Sequence, residues 1–188
     1  MRLFVGVELD ETLRAEIAAT VERVRKKLER GHARLTARWT PPENLHVTLW
    51  FLGEVDDARA ALVARSIERP FETRAFTLRV AGAGTFPSSG APRVLWMGIV
   101  EGGPSLLALN GELAGRLIPL GFEPEARRYS PHLTIARVKE GPRSTGATLR
   151  ALVSDVGSCD VAAVTLFRSR TSPKGASYEA LLRVPLIS

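Results

Sequence analysis

Apolar residues recur along the chain at two periods, and each period marks a different kind of element. An apolar run from Leu3 to Val7 predicts a strand over residues 2–9. Helical spacing follows, with Leu13, Ile17, Val21, Val24 and Leu28 on one stripe, Asp10 as N-cap and Gly31 as the stop. Residues 32–43 read as irregular and end in Pro41-Pro42-Glu43-Asn44, a turn signal ahead of a strand over 45–52. A helix over 56–68 is closed by Pro70. Strands are predicted over 75–83 and 93–100, joined by a loop that holds Gly84, Phe86, Pro87, Gly90 and Pro92. Pro104 opens a third helix carrying Leu106, Leu109, Leu113 and Leu117, which ends near Gly121. After the polar segment 123–130, Pro131 leads into a strand over 132–138, a helix over 145–156, and strands over 161–169 and 177–184. No composition shift marks a linker, so residues 1–188 read as one compact α+β domain.

Within that domain a twofold plan is visible. In each half a turn leads into a strand that begins His-x-Thr-apolar, then a helix, then further strands. The domain is therefore expected to hold two pseudo-repeat lobes, with the tetrads at 46–49 and 132–135.

The tetrads are His46-Val47-Thr48-Leu49 and His132-Leu133-Thr134-Ile135. Residues two apart on a strand face the same way, so each strand offers an imidazole beside a hydroxyl while its apolar residues turn into the core. Imidazole exchanges a proton near neutral pH, and a threonine hydroxyl hydrogen-bonds an anionic oxygen. Two imidazoles on either side of a phosphodiester divide the work: one deprotonates the attacking oxygen and the other protonates the leaving oxygen. The threonines would hold the non-bridging oxygens, without a metal or other cofactor. One such tetrad is an ordinary strand feature; two, in a chain with only three histidines, are a constellation. A metal site is the competing reading of paired histidines, but the sequence has no His-Glu-x-x-His, no second cysteine and no nearby paired carboxylate. His32, in an arginine-rich loop, reads as a surface residue.

Composition narrows the setting and leaves the chemistry alone. The chain has 188 residues, 45% hydrophobic and 24% charged, which is globular and not disordered. No apolar run is long enough to span a membrane, the N-terminus lacks the pattern of a signal peptide, and Cys159 is the only cysteine. A cytoplasmic protein is expected. Lys+Arg is 26 against 20 for Asp+Glu, a net charge of +6 that favours polyanionic partners such as nucleotides or RNA.

The tetrads and their surroundings resemble the two-histidine (2H) phosphoesterase superfamily, and within it the RNA 2′,3′-cyclic phosphodiesterases, also called 2′-5′ RNA ligases. The resemblance runs through Arg2-Leu3-Phe4, Pro42-Glu43-Asn44 with the first tetrad, and Phe51-Leu52-Gly53-Glu54. It continues through Gly84-Thr85-Phe86-Pro87, Pro92-Arg93-Val94-Leu95-Trp96, Arg128-Tyr129-Ser130-Pro131 with the second tetrad, and Gly175-Ala176-Ser177-Tyr178. It implies two pseudo-symmetric lobes, each a small antiparallel sheet flanked by helices, with the active-site cleft between them. It also implies metal-independent hydrolysis of RNA or oligonucleotide 2′,3′-cyclic phosphate to 2′-phosphate, with weak reversible 2′-5′ ligation. Carried over, His46 is the proton donor and His132 the proton acceptor; the residues alone leave the two interchangeable. Small cyclic nucleotides or ADP-ribose cyclic phosphate are the alternative substrates, and a non-catalytic RNA- or nucleotide-binding module is the alternative of another class. A monomer is expected, because an internal repeat already completes the cleft.

Several further residues are candidate substrate contacts, each with a structural alternative. Arg128 either forks onto a phosphate or pairs with Glu125. Tyr129 either stacks on a base or anchors the strand entry. Phe86 is either a base platform or a core plug. Trp50 stands where the family commonly has lysine. Strict alternation puts it on the face of His46 and Thr48, to border the cleft or cover the surface between lobes. Arg93 and Arg137 read as cleft-rim or structural charges, and Tyr178 as a packing residue.

Overall fold

A computed structural model describes residues 1–31, 35–172 and 175–188. Thirteen elements follow in order: β1 (Arg2–Glu8), α1 (Glu11–Gly31), β2 (Thr36–Trp39), β3 (His46–Glu54), α2 (Asp57–Glu68), β4 (Phe76–Phe86), β5 (Val94–Glu101), α3 (Gly103–Leu117), β6 (His132–Glu140), α4 (Thr145–Leu152), β7 (Asp155–Val161), β8 (Ala163–Ser172) and β9 (Gly175–Pro185). The strands form two antiparallel sheets, one ordered β3-β1-β8-β9 and the other β2-β6-β5-β4-β7.

Each sheet has its own helical cover. α1 and α4 pack on β7 and β4 of the five-stranded sheet, while α2 and α3 pack against β9 and β3 of the four-stranded one. The apolar stripe of α1 is buried as its spacing requires, with Leu13, Ile17, Val24 and Leu28 all at 1% exposure or less. Asp10 caps this helix, its carboxylate accepting from the Leu13 amide at 2.7 Å. The result is the expected α+β architecture of two lobes. The chain crosses between them, however: β4 and β5 follow the first tetrad but join the second sheet, and β8 and β9 follow the second tetrad but join the first.

Three expectations need correction. The stretch 32–43 contains strand β2, a four-residue edge strand on β6, too short to show a period; residues 32–34 lie outside the described residues. The helix expected over 145–156 stops at Leu152, and Asp155 begins β7. β7 is an edge strand of sequence DVGSCDV, whose polar content hides the strand from a hydrophobicity reading. β4 runs on to Phe86, so Gly84 and Phe86 belong to a strand and not to a loop. Gly84 is needed there because the Trp96 ring of β5 lies where its Cβ would stand.

Candidate active site

Both tetrads begin a strand, and both strands are built alike. Val47, Leu49, Leu133 and Ile135 are buried at 2% exposure or less, so each strand is clamped from its core side. After the threonine, each strand takes a β-bulge at the fourth tetrad residue. Gly6 pairs with Thr48 and Val5 with Trp50, leaving Leu49 as the extra residue; Trp96 pairs with Thr134 and Leu95 with Ala136, leaving Ile135 extra. The bulged carbonyls find partners elsewhere: Leu49 O accepts from Asn110 Nδ2 at 2.8 Å and Ile135 O from the Thr40 amide at 2.9 Å.

The bulge corrects the placement of Trp50. An extra residue reverses the alternation beyond it, so Trp50 shares the core face with Val5 and is only 6% exposed. Phe51 takes the cleft face instead, at 49% exposure, and Arg137 holds the equivalent position on β6. Trp50 still borders the cleft, from its buried side.

The histidines are oriented identically at one ring nitrogen and differently at the other. Nδ1 of His46 donates to the Asn44 carbonyl and Nδ1 of His132 to the Ser130 carbonyl, both at 2.7 Å. This bond from two residues upstream leaves Nε2 of each neutral imidazole as the acceptor. On the first tetrad, Nε2 accepts from the Thr48 hydroxyl at 2.9 Å; His132 has no such bond to Thr134 among the described residues. Asn44 is itself fixed, buried at 5% exposure with its amide donating to Ala176 O at 2.6 Å.

Their surroundings differ as well. His46 sits among aromatic rings, 4.7 Å from Phe4, 5.9 Å from Phe167 and edge-on to Tyr178 at 5.1 Å. Burial pushes its pKa below the usual imidazole value, and the charge of His132 acts the same way against the opposing Asn44 carbonyl. His132 has fewer ring neighbours, Phe86 edge-on at 5.0 Å and Trp96 at 6.4 Å.

β3 and β6 lie against one another, and a cleft of about 560 Å³ opens beside them, lined by Thr48, Phe51, Tyr129, His132, Thr134 and Arg137 among others. Phe86, the last residue of β4, lines the cleft and packs on His132. Tyr129 anchors the strand entry: its hydroxyl donates to Thr48 O at 2.9 Å, and burial raises its pKa well above the phenol range. Arg128 lines the cleft, and no ion pair joins it to Glu125 among the described residues. Arg93 is structural, donating to Lys139 O at 3.1 Å. Tyr178 packs edge-on against His46 and Phe4. Cys159 is buried, and burial raises its thiol pKa, as befits an inert residue. His32 lies outside the described residues. Asn44, Phe51, Asn110 and Phe4 join the site without a signal of their own in the sequence. Asn44 sits within a turn signal, and only the bulge turns Phe51 to the cleft.

The sequence matches the LigT like Phosphoesterase family over residues 12–96 and 99–178. The chain belongs to this family. It is 37% identical over 186 residues to the RNA 2′,3′-cyclic phosphodiesterase of Methanothermobacter thermautotrophicus, covering 95% of each chain. It is 35% identical to the enzyme of the same name from Archaeoglobus fulgidus, covering 96% of this chain and 98% of the relative. Among solved structures, E. coli LigT complexed with 3′-AMP matches with a TM-score of 0.78 at 26% identity, covering 100% of this chain and 98% of that one. The two-lobed phosphoesterase fold is thus shared along the whole chain. No helix among the described residues is long and apolar enough to cross a membrane.

Proposed function

We propose that this LigT-like phosphoesterase hydrolyses 2′,3′-cyclic phosphate ends of RNA or oligoribonucleotides to 2′-phosphates, with His46 and His132 as its catalytic pair. The observation that carries the reading is the duplicated unit: two His-Thr pairs, each on a bulged strand, each with Nδ1 bound to a carbonyl two residues upstream. The names of the relatives supply the substrate class.

Water attacks phosphorus, His132 Nε2 takes its proton, the bond from phosphorus to the 3′-oxygen breaks, and His46 gives a proton to that oxygen. The asymmetry of the two imidazoles supports these roles. Nε2 of His132 is free of its threonine among the described residues, and burial makes a protonated His46 a stronger acid and a scarcer one. When His46 is protonated, Nε2 becomes a donor, and the Thr48 hydroxyl is freed to donate a hydrogen bond to a phosphoryl oxygen. Thr134 serves the second non-bridging oxygen. The chemistry calls for no metal, since proton transfer and hydrogen bonding do all of it. Run backwards, the site joins a cyclic phosphate to a 5′-hydroxyl as a 2′-5′ bond, weakly, because water outcompetes the hydroxyl. Both tetrads come from one chain, so the unit is complete as a monomer.

The test is to incubate EDTA-treated protein with a cyclic-ended oligoribonucleotide and identify the product. A 2′-phosphate is expected, and His46→Ala or His132→Ala should each lower kcat by roughly 10²–10⁴. A 3′-phosphate product, strict metal dependence, or full activity in either variant overturns the proposal.

A further inference from the structure

Two successive carbonyls of β3 are held by side chains from distant parts of the chain. Thr48 O accepts from the Tyr129 hydroxyl at 2.9 Å, and Leu49 O, at the bulge, accepts from Asn110 Nδ2 at 2.8 Å. β3 is the edge strand of its sheet, so a carbonyl that the bulge turns off the ladder must find its partner outside the sheet. The second tetrad is supported differently. β6 lies inside its sheet beside β2, and the chain leaving β2 supplies the Thr40 amide to the bulged Ile135 carbonyl at 2.9 Å. One bulge is thus fixed by backbone and its counterpart by a side-chain amide.

Packing alone does not account for Asn110. It stands four residues after Leu106 and three before Leu113, on the side of α3 that carries these buried leucines. An apolar side chain suits that side of the helix better, and asparagine is a poorer helix former than leucine. The structure nonetheless puts a half-buried amide there, and its hydrogen bond to the bulge offsets the cost of taking it out of water. That bond acts one residue from Thr48, whose hydroxyl donates to His46 Nε2 at 2.9 Å.

We propose that Asn110 is a positioning residue for the first tetrad: it fixes the Leu49 bulge, and thereby the direction of the Thr48 hydroxyl beside His46. The inference rests on the catalytic reading given above and deepens it. Asn110 does for the first tetrad, through one side chain, what the Thr40 backbone does for the second.

Steady-state kinetics on a cyclic-ended oligoribonucleotide test it with Asn110→Leu, which keeps the bulk of the side chain, suits the leucine side of α3 and removes the donor. This variant is expected to lower kcat roughly ten- to hundred-fold, with KM changed by less than about twofold. A bond that serves stability alone would lower the folded fraction and leave kcat per folded molecule unchanged. Thr48→Val supplies a second readout. The Asn110→Leu, Thr48→Val double variant should be no slower than Thr48→Val alone, because the amide works through that hydroxyl. In NMR spectra the His46 ring nitrogens should shift in Asn110→Leu while those of His132 stay in place. Should the leucine variant not fold, Asn110→Asp, of nearly the same shape but with an acceptor in place of the donor, carries the same comparisons. Wild-type kcat per folded molecule, additive losses in the double variant or unshifted His46 nitrogens overturn the role of Asn110 and leave the catalytic reading standing. A wild type that turns over no cyclic-ended substrate overturns both.

Discussion

The Tyr129 hydroxyl donates to the Thr48 carbonyl at 2.9 Å, across 81 residues of chain. This bond fastens the approach to the second tetrad onto the strand of the first, one residue before the Leu49 bulge. The acid and base proposed above would need a fixed separation, and a hydrogen bond between the strands that carry them helps to set it. Tyr129→Phe keeps the ring and removes only the bond. It is expected to lower kcat roughly ten- to hundred-fold with KM little changed, and stability by about 1 kcal/mol. Steady-state kinetics beside urea unfolding check this; an unchanged kcat would mean that the bond plays no part in alignment.

Gly6 lies under the first tetrad. A Cβ there would stand 2.7 Å from the Val47 carbonyl and 3.5 Å from Cδ2 of His46. Gly6→Ala must therefore push β3 away or tilt the imidazole. The expected outcome is a fall in kcat of roughly tenfold or more, accompanied by a shifted His46 ring signal in NMR spectra. Wild-type kcat in a folded variant would count against the proposed role of His46.

His46 also links stability to pH. Its folded pKa is lowered by burial, so the unfolded chain binds a proton more readily. Between the folded value and the ordinary imidazole value of about 6.5, the unfolded state holds more protons, and stability rises with pH. The protein is expected to lose stability on acidification through that window, from neutral pH downwards. His46→Gln should flatten the dependence, which urea midpoints at several pH values measure. A variant that keeps the wild-type slope would place the titration on another group.

Arg116 is a structural residue outside the cleft lining. Its guanidinium is buried at 9% exposure and donates to the carbonyls of Ile67, Arg69 and Pro70 at 3.2, 2.7 and 2.6 Å. It also lies 3.5 Å from the Glu112 carboxylate and 3.9 Å over the Phe71 ring. Arg116→Met leaves three carbonyls without their donor, while the Glu112 carboxylate keeps the Glu72 and Thr73 amides and the Thr73 hydroxyl, at an expected cost of about 3 kcal/mol. Calorimetry and urea unfolding read the loss; kcat of the folded fraction should stay as in the wild type.

Much of this protein is legible in its sequence, because two of its signals are local. The apolar stripe of α1 and its Asp10 cap depend on residues within a few positions of one another, as does the pairing of His46 with Thr48 and of His132 with Thr134 on one strand face. The edge strands β2 and β7 were not legible: the one is four residues long and the other largely polar. Such segments become strands because β6 and β4 present unpaired backbone to them.

By itself, then, the sequence determined the α+β class, the core faces of the helices and the two His-Thr pairs, for these follow from fixed helical and strand periods. Only the tertiary structure decided which side chains meet across the chain. The bulges exchange Trp50 for Phe51 on the cleft face, Asn44 and Ser130 orient the imidazoles, and Tyr129 joins the two strands. It also separates the two histidines, nearly interchangeable in sequence, by setting one among three aromatic rings and the other beside two. Register shifts and contacts between distant segments answer to the whole packing of two sheets, and no local period encodes them.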